Sequence, residues 1–151
     1  GNTTEDSHDG FAYSEKTLEE LRQCEFLPFE AGIRAGSPFV MVGHISLPEV
    51  TGDDLPASLS KTIITELLRG ELEFDGVVVT KTTNMGAVEE HHARAEAAVM
   101  AVQAGADMIL MPADFEAAYN GILQAVQEGQ ITEERLDRSV ERILDLKLKE
   151  E

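Results

Sequence analysis

The sequence predicts an α/β fold in which about three parallel strands are flanked by helices. Three short apolar runs are each followed by a segment whose apolar residues recur at helical spacing, and glycines or prolines separate the segments. Strands that alternate with helices favour parallel pairing through right-handed crossovers. With 151 residues, the chain has the size of one domain, and no linker to a second domain is evident.

The first predicted elements are a polar loop and two short helices. Residues 1–13 are polar and acidic and have no apolar period, which is typical of a loop. Thr17 and Glu20 have the spacing of a capping box, so a helix is predicted to begin at this point. Pro28 suits the first turn of a second helix, which is predicted to end near Gly36.

The three predicted strands are the apolar runs 39–45, 77–80 and 108–111. The run 77–80 is the clearest, because its β-branched residues suit a parallel strand that is covered on both faces. Ser58 or Ser60 is predicted to cap the helix after the first strand, and Gly70 to end it. An alanine-rich helix follows the second strand and is predicted to end at Gly105.

Two further helices complete the prediction. Asp114 is predicted to cap a helix that ends at Gly129, and Thr132 to cap the last helix. The apolar residues of the last helix share one face and are expected to point inward; they are Leu136, Val140, Ile143, Leu144 and Leu148.

The charge balance excludes several classes of partner. The 12 Lys and Arg residues against 29 Asp and Glu residues give a net charge of −17, which argues against nucleic acid and against an anionic membrane surface.

No apolar run reaches the roughly 18 residues of a transmembrane helix. The lone Cys24 leaves the redox compartment open. Residue 1 is a glycine and no secretory signal pattern follows it, so the localisation stays unassigned.

Polar residues that could carry chemistry fall where the predicted strands end. These strand ends are Gly43-His44, the segment 80–84 and Met111-Pro112. In parallel α/β folds the active groups collect at this edge of the sheet. The opening loop, with Asp6 and His8, could reach the same edge.

Asp6 and His8 are spaced as a carboxylate and an imidazole that can act together. A carboxylate that accepts the imidazole proton fixes the tautomer of the ring and raises its basicity, so the pair can serve as a general acid/base. The alternative is a solvated loop in which the two side chains do not interact.

Two further side chains have open interpretations. His44 at the end of a buried strand could present a ring nitrogen to a ligand, or it could be a core histidine bonded to backbone. Lys81 ends the most buried strand, where an ammonium group must be paired or exposed. An exposed lysine at the sheet edge with a carboxylate neighbour such as Asp6 is therefore the alternative to a functional one. His91 and His92 share no HExxH-type face with the preceding glutamates, so no metal site is predicted, and no cofactor either.

Several segments in order resemble the bacterial β-N-acetylhexosaminidases of glycoside hydrolase family 3. The resemblance covers nearly the whole chain. The segments are Asp6-Ser7-His8, Leu27-Pro28-Phe29, Val40-Met41-Val42-Gly43-His44-Ile45, Leu55-Pro56-Ala57-Ser58-Leu59-Ser60, Leu67-Leu68-Arg69, Phe74-Asp75-Gly76-Val77-Val78-Val79-Thr80, Asn84-Met85-Gly86-Ala87 and Ala104-Gly105-Ala106-Asp107-Met108.

The resemblance implies the C-terminal portion of a TIM-type (β/α)₈ barrel. Residues 1–16 would then be a catalytic-loop segment, and residues 17–151 would supply βα units and a terminal helix. A full barrel needs about 200–250 residues or more. We therefore expect this chain to associate with the missing part of the barrel or with itself, and its partner molecule to be a carbohydrate.

The resemblance also implies a retaining glycosidase that releases terminal β-linked N-acetylhexosamine. His8 would be the acid/base and Asp6 would orient it, while His44 and Met85 would line the sugar site. Lys81 stands where the family has its nucleophilic Asp, and an ammonium group cannot form a glycosyl ester. A catalytically inactive relative is therefore the alternative function. A Schiff-base lyase that uses Lys81 is a minor one, since Lys81-Thr82-Thr83 also resembles the lysine segment of deoxyribose-phosphate-type aldolases.

Overall fold

The structure is a computed structural model that describes residues 12–81 and 91–148. Helices and strands alternate along most of this part of the chain, as the sequence predicts. In chain order the elements are β1 (Ala12–Tyr13), α1 (Leu18–Gln23), α2 (Phe26–Arg34), β2 (Phe39–Val42), β3 (Ile45–Ser46), α3 (Pro48–Thr51), a 3₁₀ turn (Ala57–Leu59), a π-helix (Thr62–Glu71), β4 (Val77–Lys81), α4 (His91–Ala104), β5 (Met108–Leu110), α5 (Phe115–Gln127) and α6 (Glu133–Leu148).

A parallel sheet of three strands, in the order β2-β4-β5, confirms the predicted α/β fold. Val42 is in register with Thr80, and Lys81 with Leu110, so all three strands end at one edge. The three strands do not close into a barrel. Their order follows the order along the chain, as in a segment of a parallel barrel.

The first predicted strand is shorter than expected, because the chain leaves the sheet at Gly43. Residues 45–46 form β3, which pairs in parallel with β1 as a separate two-stranded sheet. The prediction that residues 1–13 form a loop is therefore wrong for Ala12 and Tyr13. The pattern could not show this, since strand pairs of two residues carry no periodicity.

The core lies on one face of the three-stranded sheet. Val40 and Val42 of β2 and Val78 of β4 are buried there against the π-helix and α4. Ile64 and Ala101 are the buried contacts from those two helices. The prediction that the run 77–80 is covered on both faces is confirmed at Val77, Val78 and Thr80, which are buried, and Val79 is half-buried. The flanking strands expose large apolar residues on the other face; these are Phe39, Met41, Met108 and Leu110.

Most predicted helix ends are confirmed. Thr17 and Glu20 form the capping box of α1, and the carboxylate of Asp114 accepts a hydrogen bond from the Ala117 N–H at 2.9 Å at the start of α5. Gly105 and Gly129 follow the last residues of α4 and α5 with positive φ angles. Within the described ranges, no helix combines the length and the apolar character that crossing a bilayer requires.

The helix after β2 differs from the prediction in its geometry. Residues 62–71 form a π-helix, and the Leu72 N–H continues its spacing by donating to the Leu67 carbonyl at 2.8 Å. The helix therefore runs to Glu71, one residue past Gly70. An apolar face spaced for an α-helix does not distinguish the two geometries over so short a segment.

The last helix packs through only part of the predicted face, because Leu136 contacts the buried cluster of Val102, Ala125 and Ile131, and Ile143 is half-buried. Val140, Leu144 and Leu148 are exposed, so the prediction that they point inward is wrong. The buried residue of α6 is Ser139, whose hydroxyl donates to Asp107 at 2.6 Å. Apolar spacing identifies an apolar face but does not show which face packs. Here the hydrogen bonding of a buried carboxylate determines the orientation.

Candidate active site

The strand ends that were predicted to carry functional residues lie together at the carboxyl edge of the sheet. Lys81 is the last residue of β4, and its register partner in β5 is Leu110. His44 lies two residues beyond β2, after Gly43. Because the strands are parallel, these positions and the Met111-Pro112 turn lie on the same edge, where groups from neighbouring strands can act on one substrate.

The ring of His44 is held by a side chain rather than by backbone. Its Nδ1 lies 2.7 Å from the Oγ of Ser58. Ser58 is buried in the 3₁₀ turn, and its backbone N–H donates to the Gly43 carbonyl at 3.2 Å. The turn therefore fixes both the chain and the ring at this strand end. Chemistry at His44 would involve the other ring nitrogen, Nε2.

Ser58 has a different role from the predicted one. Ser58 and Ser60 are the two predicted candidates for the cap of the following helix, and the Oγ of Ser60 is the one that accepts the Ile63 N–H, at 3.5 Å. A hydroxyl placed fourteen residues after a histidine has no signature that marks the two as a pair. Only the fold brings Ser58 to the end of β2.

The remaining predicted site residues are not tested by the structure. Asp6, His8 and Met85 lie outside the described residues. The backbone of Lys81 is described but its side chain is not, so its proposed contact with Asp6 remains a prediction. Across residues 12–81 and 91–148, no three His, Cys, Asp or Glu side chains gather in a way that could hold a metal ion.

The opposite edge of the sheet holds a charged cluster around Asp107. Its side chain is fully buried. Oδ2 accepts hydrogen bonds from Arg69 at 2.5 Å and from the Val78 N–H at 2.9 Å. Oδ1 accepts from Ser139 at 2.6 Å and from Arg142 at 3.2 Å. A third arginine, Arg135, lies 3.9 Å from Oδ1 and donates to the Ala106 carbonyl at 2.7 Å.

This cluster is structural rather than catalytic in its placement. Asp107 directly precedes β5, so it lies at the amino end of the strands, away from the carboxyl edge. Burial lowers the pKa of Arg69 and that of Arg135, and the charge of Asp107 opposes this effect on both. In the sequence, Arg69 and Asp107 belong to segments that resemble the family, and no pairing between them is predicted. A carboxylate immediately before a buried strand was the signal that could have marked the cluster.

Parallel strands with polar residues collected at their carboxyl edge and a structural cluster at the other are the arrangement of (β/α) barrel enzymes. The sequence matches the Glycosyl hydrolase family 3 N terminal domain over residues 1–146. The chain belongs to glycoside hydrolase family 3.

Several of the similar proteins are named as β-N-acetylglucosaminidases or β-hexosaminidases, and another is named as a β-glucoside phosphorylase. A glycoside hydrolase family 3 β-N-acetylglucosaminidase from Paenibacillus sp. str. FPU-7 superposes with a TM-score of 0.90 and 44% identity, over 98% of this chain and 29% of that chain. A β-N-acetylglucosaminidase/β-glucosidase of Cellulomonas fimi is 32% identical over 94% of this chain and 27% of its own length. Beta-hexosaminidase A of Pseudoalteromonas piscicida is 31% identical over 99% and 28%. The chain thus spans less than a third of each of these relatives.

Proposed function

We propose that the protein carrying this chain is a glycoside hydrolase that releases terminal β-linked N-acetylhexosamine, in particular N-acetylglucosamine. The proposal is supported by the family match over residues 1–146, together with the positions of His44 and Lys81 at the ends of two parallel strands. The net charge of −17 suits a neutral saccharide better than a polyanionic substrate.

The proposed mechanism retains the configuration of the anomeric carbon. In the family, the aspartate at the position of Lys81 attacks the anomeric carbon and displaces the leaving group, and water then hydrolyses the resulting glycosyl ester and releases the sugar. This step requires a carboxylate, which Lys81 does not supply. In this proposal His8 protonates the leaving glycosidic oxygen and later takes a proton from the water, while Asp6 orients its ring. His44, held through Nδ1 by Ser58, and Met85 would line the sugar site.

The residue at the nucleophile position provides the most direct test of the proposal. Lys81 stands where the family has its aspartate, and a cationic side chain disfavours the oxocarbenium-like transition state. This residue supports a second candidate function, a catalytically inactive relative that binds saccharide without cleaving it. The two candidates share a ligand and differ in turnover.

The test is hydrolysis of an aryl N-acetyl-β-glucosaminide by the protein at its natural length, compared with the Lys81→Asp variant. Lys61→Asp is the matched control, because it makes the same charge change at an exposed lysine beside the π-helix. Release of the aryl alcohol by the unchanged protein above the buffer rate supports the hydrolase. Turnover only after Lys81→Asp supports the inactive relative. No turnover in either would contradict the hydrolase proposal.

A further inference from the structure

The turn after β5 exposes large apolar side chains at the carboxyl edge. Met111 is 73% exposed and Phe115, the first residue of α5, is 72% exposed. Tyr119, one helical turn further, is 58% exposed. Side chains of this size lose favourable burial free energy when they face water, so an exposed group of them marks a contact surface.

The rings of Phe115 and Tyr119 stack on each other, and this stacked pair is called the aromatic platform. The ring centroids of Phe115 and Tyr119 are 6.3 Å apart, and the ring planes are inclined by only 21°. Asp114 accepts a hydrogen bond from the Ala117 N–H and so caps the first turn of α5. This cap stabilises the backbone of the turn in which Phe115 lies. Side chains on a helix lean towards its N-terminus. Phe115 therefore leans over the β5–α5 turn, towards the edge where the strands end.

Met111 strengthens the link between this platform and the site. Its φ angle is 51°, in the left-handed region that non-glycine residues rarely adopt. Strain of this kind collects at functional sites and persists only where the surroundings maintain it. Met111 directly follows Leu110, the register partner of Lys81. The platform thus begins beside the position that the family uses for its nucleophile.

We propose that Phe115 and Tyr119, with Met111 beside them, bind the leaving-group side of a saccharide substrate. Aromatic faces suit the apolar C–H face of a pyranose ring, and binding of this kind needs no charge on the ligand. Because α5 lies outside the row of strand ends, we expect its surface to contact only those sugar units that extend beyond the strand ends. The inference deepens the proposed function and rests on its assignment of saccharide as the ligand.

The test measures binding, so that it does not depend on turnover. A thio-linked analogue of N-acetylchitotriose and free N-acetylglucosamine are titrated separately into the protein at its natural length by calorimetry. We expect Phe115→Ala to raise the Kd of the trisaccharide about three- to tenfold, the size of one aromatic contact, and to leave the Kd of the monosaccharide unchanged. Phe115→Trp should retain trisaccharide binding, because the larger ring still offers a stacking face.

Leu123→Ala is the matched control. Leu123 is exposed on α5 one turn beyond Tyr119 and away from the edge, so its removal should change neither Kd. An unchanged trisaccharide Kd in Phe115→Ala would overturn the platform, as would a trisaccharide that binds no more tightly than the monosaccharide. If the protein hydrolyses no glycoside yet binds the trisaccharide through Phe115, the platform stands and the hydrolase proposal fails. If the protein hydrolyses glycosides but the trisaccharide Kd is the same with and without Phe115, the hydrolase proposal stands and the platform fails.

Discussion

At Asp107, one carboxylate connects three parts of the fold. It accepts hydrogen bonds from Arg69 of the π-helix, from the backbone of Val78 in β4, and from Ser139 and Arg142 of α6. Burying a charge is costly unless partners replace the lost water, and here four donors do so. The arginine side chains remain partly exposed, so water still screens them. Asp107 is the member of the cluster that has no contact with water.

Removing this carboxylate should destabilise the chain strongly. Asp107→Ala leaves three arginines without their shared counter-charge, and we expect a loss of about 3 kcal/mol in the free energy of unfolding. Asp145→Ala, on the exposed side of α6, should change it by no more than about 0.5 kcal/mol. Urea unfolding followed by circular dichroism measures both. Equal effects of the two substitutions would show that the cluster does not hold the fold together.

At the scale of elements, the end of α4 is fixed by a close approach to the π-helix. The Thr65 hydroxyl donates to the carbonyl of Ala104, the last residue of α4, at 2.7 Å. Gly105 follows with a φ angle of 118°, and a Cβ at this position would lie 2.7 Å from the Thr65 Oγ1 and 3.0 Å from the Ile64 Cγ2. Gly129 after α5 also has a positive φ, 73°, but a Cβ there would meet nothing within 4 Å.

Alanine substitutions at these two glycines compare the cost of a positive φ angle alone with the cost of a positive φ angle and steric crowding together. Gly129→Ala should cost about 1 kcal/mol, the penalty of a left-handed alanine alone. Gly105→Ala should cost about 3 kcal/mol, because overpacking against the π-helix adds to the backbone penalty. Thermal and urea unfolding of the two variants give the comparison. If Gly105→Ala costs no more than Gly129→Ala, the two helices can separate slightly without loss.

The elements also show what a sequence alone can predict. The parallel strands and the caps at Thr17 and Asp114 were predictable, because local chemistry and apolar period determine them. The π-helix and the outward apolar face of α6 were not, since they depend on contacts with residues far along the chain. The same holds for the site. The position of Lys81 at a strand end was predictable, whereas the hold of Ser58 on His44 arises only when β2 and the 3₁₀ turn meet.

At the scale of the whole molecule, the three-stranded sheet is covered on one face, whereas on the other face the two flanking strands are open and Val77 of β4 is buried. Strand alternation places Val40, Val42 and Val78 towards the helices. The other face presents exposed apolar residues along its length; they are Phe39, Met41, Met108 and Leu110. In a parallel barrel this face would look into the interior. We propose that further chain, or a second copy of this one, covers it.

The purified 151-residue chain should therefore associate through this sheet face. Light scattering is expected to give a mass above that of one chain, despite the repulsion of a net charge of −17. Met41→Glu should return the mass to that of a monomer, because it places a carboxylate on the exposed face of the sheet. Leu148→Glu makes the same charge change at an exposed residue of α6 and should leave the assembly intact. Dissociation by Leu148→Glu alone would move the contact from the sheet to the last helix.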